Sequence, residues 1–116
     1  MKLSIKDTIG PRCIIKEDGQ KTFTEICDPL KQGETVTLDF YGVSQFATPF
    51  FNFAIGQLLN YIPETDVRSL LHYENLNETG KSVVERVIEN AAKQHADKQY
   101  RDIVEEILTK QAKESD

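Results

Sequence analysis

Val36-Thr37-Leu38-Asp39-Phe40-Tyr41-Gly42-Val43-Ser44-Gln45-Phe46-Ala47-Thr48-Pro49-Phe50-Phe51 is the stretch whose reading decides the fold. Residues 35–41 are rich in β-branched and aromatic side chains and lie between Gly33 and Gly42, which predicts a buried strand. Thr48-Pro49 then opens a helix, with Pro49 suited to the first helical position and Thr48 to the cap before it. A strand feeding straight into a helix places a loop and a helix start at one edge of a sheet. That is where many α/β domains bind phosphate or a partner.

Working outward, Leu3 and Ile5 suggest a first short strand, ended by Ile9-Gly10-Pro11, and residues 12–16 a second. Asp18-Gly19 reads as a turn. Over residues 19–31 the pattern becomes helical, since Phe23, Ile26, Cys27 and Leu30 fall at i, i+3, i+4 and i+7. Pro29 predicts a kink or early end there, and Gly33 closes the segment. The helix opened at Pro49 is predicted to run over residues 49–61 and to stop at Pro63. Phe51, Ala54, Ile55 and Leu58 form its apolar face, while Phe50, Phe53 and Leu59 carry apolar character around the cylinder. A helix apolar on more than one face is sandwiched or paired with another molecule.

Residues 67–73 read as another strand and residues 75–80 as a polar connection. A third helix is expected over residues 81–95, with Val83, Val84, Val87, Ile88 and Ala91 on its buried side. A break at Ala96-Asp97 and a fourth helix over residues 98–113 follow. Tyr100, Ile103 and Ile107 form the stripe of that last helix, which packs on its own domain or pairs with a second copy; the tail at 113–116 is expected to fray. Strands alternating with helices imply a mixed, mostly parallel sheet with helical crossovers. The expected organisation is one domain over residues 1–96 and a C-terminal amphipathic helix over residues 97–116.

With 116 residues, 39% hydrophobic and 28% charged, the chain has the composition of one globular domain. Its net charge of -5, with Lys and Arg scattered among acids, argues against nucleic-acid binding. The N-terminus lacks a signal-peptide pattern, and the apolar run from Phe50 to Leu59 is too short and interrupted to span a bilayer. A cytoplasmic protein without membrane attachment is expected. Cys13 and Cys27 fit no zinc spacing and are expected to be small buried apolar residues rather than a disulfide. His72 and His95 have no metal-ligand neighbours at a suitable spacing, and His95 is expected at a helix end. No nucleophile elbow, phosphate loop or dinucleotide fingerprint is present, so neither a catalytic residue nor a cofactor or metal is expected.

The strand–turn–helix and its flanks resemble the STAS-like domain family. The matching residues are Glu17-Asp18-Gly19, Val36-Thr37-Leu38-Asp39-Phe40-Tyr41-Gly42-Val43, Thr48-Pro49-Phe50-Phe51-Asn52 and Ala54-Ile55-Gly56-Gln57-Leu58-Leu59. The likeness covers most of residues 3–92. It implies a STAS-like α/β fold with helices chiefly on one face of the sheet. It also implies a relation to the anti-sigma-factor antagonists, whose domains bind a serine-kinase-like ATPase through the loop and helix after the central strand. Phosphorylation at that helix start switches the partner. The family's helix-start pattern of Thr, any residue, Ser, Phe matches at Thr48 and Phe51. Phe50 stands at the Ser position, and Pro49 near the antagonists' phosphoacceptor. Thr48 is the hydroxyl left there and the candidate phosphoacceptor.

The expected function is therefore a non-enzymatic regulatory module that binds a protein partner through Thr48, Phe50, Asn52, Phe53 and Gln57. Asn52, Gly56 and Asn60, at i, i+4 and i+8, share one stripe that either faces the partner or is simply solvated. The alternative is a small-ligand or nucleotide-binding sensor at the same sheet edge, which requires a concavity near Asp39, Gly42 and Thr48. Asp39 itself reads either as an anchor for the turn after Gly42 or as a metal or nucleotide contact.

Overall fold

A computed structural model describes the backbone of residues 1–114 and the side chains of residues 1–96. Three short strands, β1 (Lys2–Ser4), β3 (Val36–Asp39) and β5 (Leu71–Glu74), form a parallel sheet in the order β1-β3-β5. A separate two-residue pairing joins β2 (Arg12–Cys13) to β4 (Gln45–Phe46), also in parallel. The helices are α1 (Ile5–Ile9), α2 (Lys16–Lys31), α3 (Thr48–Ala54), the 3-10 helix η1 (Gly56–Asn60), α4 (Glu64–Leu70) and α5 (Glu78–Glu114).

The sheet is one-sided, and its register shows why. Leu3 lies beside Leu38 and Leu38 beside Tyr73, while Val36 lies beside Leu71. In-register neighbours share a face, and these apolar rows point into the helices. The alternate rows, Lys2-Thr37-His72 and Ser4-Asp39-Glu74, are polar and form the opposite face. This is the mostly parallel sheet with helices chiefly on one side that the resemblance implied.

The core takes one face from each helix. The expected stripe of α2 goes inward at Ile26, Cys27 and Leu30, with Phe23 half-buried. Phe51, Ala54, Ile55 and Leu58 are all fully buried. On α5 the buried side is Val84, Val87 and Ile88, flanked by half-buried Val83 and Ala91. Because α3 touches both α2 and α5, the second apolar face of the 49–61 segment is sandwiched. Both cysteines are buried thiols, and burial pushes the Cys13 thiol up to about 12.

Several boundaries differ from the expectation. Ile5 does not extend the first strand; it starts α1, because the Ser4 side chain accepts a hydrogen bond from the Asp7 N–H at 3.3 Å and caps a helical turn. The second strand stops at Cys13 rather than residue 16. Asp18-Gly19 is no turn: α2 already begins at Lys16, with Glu17 and Asp18 in its first turn, where acids suit the helix dipole. Pro29 lies inside α2 near its C-terminal end without ending it, and Gly33 supplies the left-handed residue after the helix, with φ of 84°. The 49–61 helix breaks after Ala54 and tightens into η1 at Gly56, a poor helix former. Most of the strand expected over 67–73 is helical: Pro63 opens α4, and Arg68 binds Glu64 one turn back at 2.8 Å. Finally, the two C-terminal helices are a single α5. Ala96-Asp97 contains neither glycine nor proline, and Ala favours helix most. His95 therefore lies within a helix, not at its end. The stripe at Tyr100, Ile103 and Ile107, its packing or pairing, and the last two residues of the tail fall outside what the structure describes.

Candidate functional site

The segment between the central strand and α3 is held at both ends. At its start, Asp39 Oδ1 accepts from the Tyr41 N–H at 3.0 Å and from Asn75 Nδ2 at 2.8 Å. The Val43 N–H donates to the Phe40 carbonyl at 3.0 Å, and Gly42 adopts φ of 81° between them. At its far end, β4 pairs with β2, and the Ala47 N–H donates to the Cys13 carbonyl at 2.9 Å. Asp39 is thus a loop anchor, although the N–H it holds precedes Gly42 rather than follows it.

Asn75 donation, Tyr41 donation and the Lys2 charge, 3.9 Å away, hold the Asp39 carboxyl below the usual range. A carboxyl depressed in the folded state adds stability above its unfolded pKa and loses it as pH falls through the folded one. The wild type is therefore expected to lose stability relative to Asp39→Asn as pH drops below about 4. Urea unfolding at a series of pH values checks this; parallel profiles for the two proteins would refute the anchoring role.

The structure places the expected site residues unequally. Thr48, Asn52 and Phe53 are exposed on α3. Gln57 is half-buried, its Nε2 donating to Gln20 Oε1 and to the Phe53 carbonyl, both at 2.8 Å. Phe50 is a correction. It is fully buried, its ring edge-on to Phe51 with centroids 5.3 Å apart, so it belongs to the core and offers nothing to a partner. Thr48 also departs from its expected role as a cap. It is the first residue of α3, Ala47 takes the cap position, and no side chain caps this helix.

Two residues that sequence reasoning passed over join this surface. Ile14 and Ile15, read as part of a strand, follow β2 and are 38% and 51% exposed. The β2–β4 pairing brings Cys13, and so Ile14, beside Ala47 and the start of α3. From Ile15, the first turn of α2 leads to Gly19, where a side chain would stand 2.8 Å from Phe53 Cβ. Ile14, Ile15 and Phe53 are thus exposed apolar residues on segments that flank the start of α3.

The stripe of Asn52, Gly56 and Asn60 survives the change to η1 and faces α5 across a groove of about 510 Å³. Thr48 and Gln57 also line it, and Arg86, Asn90, Gln94 and His95 form the far wall. The concavity expected beside Asp39 and Gly42 lies elsewhere: neither residue lines this groove, and the Lys6 side chain covers Gly42, 2.6 Å from where a Cβ would stand. His72 is exposed on β5. Among the described residues no three His, Cys, Asp or Glu side chains are grouped to hold a metal ion, and no helix is long and apolar enough to cross a membrane.

Neither the curated proteins nor the solved structures yield a match to this chain. A family model does: the STAS-like domain of unknown function (DUF4325) spans residues 18–81, from the first turn of α2 through the central strand and α3 into the start of α5. That is more than half of the chain, and the chain belongs to this STAS-like family.

Proposed function

We propose that the chain is a non-enzymatic regulatory module that receives a protein partner on the start of α3. Membership of a STAS-like family supports a regulatory interaction role. The observation that carries the reading is the exposure of Ile14, Ile15 and Phe53 on segments that flank the start of α3, where Thr48 and Asn52 are also exposed. Apolar anchors within a polar rim are the usual composition of a protein interface. By resemblance, the partner is a serine-kinase-like ATPase. Thr48 serves as the switch: its hydroxyl caps no helix and is exposed, and a phosphate there would set about two negative charges beside the apolar anchors.

Affinity capture from the native host, with wild type, Ile15→Asp and Thr48→Glu, tests this. Wild type is expected to recover an ATPase-domain protein and both variants to lose it by about tenfold or more, with unchanged circular dichroism. An identical set of partners for all three proteins would remove the docking site from this face.

A further inference from the structure

The docking patch leaves unexplained the groove between α3, η1 and α5. We infer that this groove binds a small monoanion, a carboxylate on an organic body carrying amide or hydroxyl groups. This goes beyond the docking reading and does not depend on it.

The groove's volume of about 510 Å³ is that of a metabolite site. Among the described residues no Asp or Glu lines it, although the chain carries a net charge of -5. Its one lysine or arginine among them is Arg86. Among the described residues Arg86 takes part in no ion pair, whereas Arg68 is clamped by Glu64 and Glu85, each at 2.8 Å. A guanidinium fork matches a planar carboxylate, and a single cation balances a single negative charge. Against Arg86 alone, a dianionic phosphate would keep an uncompensated charge in an already acidic protein.

The remainder of the lining is built to read hydrogen bonds. Asn52 and Asn60 stand on one wall, with Asn90 and Gln94 opposite. Each side-chain amide offers donors and an acceptor, and none of the four makes a side-chain hydrogen bond among the described residues. On the far wall, His95 Nδ1 is shut off from solvent and has no partner among the described residues. The apolar part of the lining is Val83, Val87 and Ala91, of which Val83 and Ala91 are half-buried, and an added Cβ at Gly56 would sit in ordinary contact 3.4 Å from Val87 Cγ1.

The test is a titration of the full ¹⁵N-labelled chain, followed by amide shifts, with three probes. These are N-acetyl amino acids as monocarboxylates, their uncharged N-methylamides, and inorganic phosphate. Saturable shifts around Asn52, Asn60 and Asn90 are expected with at least one monocarboxylate. Binding should weaken by about tenfold or more for its N-methylamide and in Arg86→Gln. Asn90→Ala, a second exposed substitution, is expected to weaken it as well. Ile15→Asp is expected to leave carboxylate binding intact, which separates failure of the groove from failure of the docking patch. Absence of saturable shifts with every monocarboxylate, indifference to Arg86→Gln, or an equal response to phosphate alone would each overturn the inference.

Discussion

Replacing Phe51 with alanine is expected to lower folding stability by about 3–5 kcal/mol. Phe51 is fully buried, and its ring lies 6.0 Å from Phe40, 5.7 Å from Phe46 and 5.3 Å from Phe50, centroid to centroid. Those partners come from three places: the end of the central strand, β4 and α3 itself. One ring thus ties the three-stranded sheet and the β2–β4 pair to the helix that carries the docking surface. Removing it deletes the aromatic contacts that join these segments and leaves a cavity that rigid neighbours cannot close. Against a typical total of about 5–15 kcal/mol, the loss is a large fraction. Urea unfolding would show a lower midpoint with little change in slope. Phe51→Leu, which keeps most of the volume, should lose much less. A loss below about 1 kcal/mol for the alanine variant would mean that the aromatic cluster does not hold the two sheets together.

The second large effect is at Gly19. At an exposed helical position, glycine to alanine gains about 1 kcal/mol from helix propensity. In α2 the opposite sign is expected. A Cβ at Gly19 would run into the Phe50 carbonyl oxygen and stand 2.8 Å from Phe53 Cβ and 3.2 Å from the Ala54 nitrogen. Two of these three obstacles are backbone atoms of α3, which no rotamer change can move aside. The helices must separate, at an overpacking cost that exceeds the propensity gain and leaves a net loss of about 2 kcal/mol for Gly19→Ala, more for Gly19→Val. The melting temperature should fall by several degrees for each kcal/mol lost. The displacement would also shift Phe53 relative to Ile15, so partner capture should weaken in step. A Gly19→Ala protein that melts at or above the wild-type temperature would show that α2 and α3 do not approach this closely.

The elements differ in how plainly the sequence encodes them. The buried stripes of α2 and α5, the central strand and the start of α3 rest on local periodicity and were legible. The segment at 67–73 was not: a short apolar run fits strand or helix, and the acids after Pro63, a helix-start signal, were passed over in favour of the run itself. The same applies to α1, where Ser4 and Asp7 spell a cap. At the site, Thr48, Asn52 and Phe53 were placed on the surface correctly, while Phe50 was assigned to it wrongly. Phenylalanines at 50, 51 and 53 cover most of a helix circumference, so periodicity alone cannot say which of them faces outward.

By itself the sequence determined the fold class, the family resemblance and the position of a helix start after the central strand, because those depend on spacing and residue type along the chain. Only the tertiary structure decided that Phe50 is buried in the core, and that Ile14 and Ile15 lie exposed near the start of α3. It alone also turned Asn52, Gly56 and Asn60 toward Arg86 and Asn90 across a groove. An element's own pattern encodes its faces. Which neighbour each face meets is set by how α2, α3 and α5 pack against one another, and no local pattern in the chain records that.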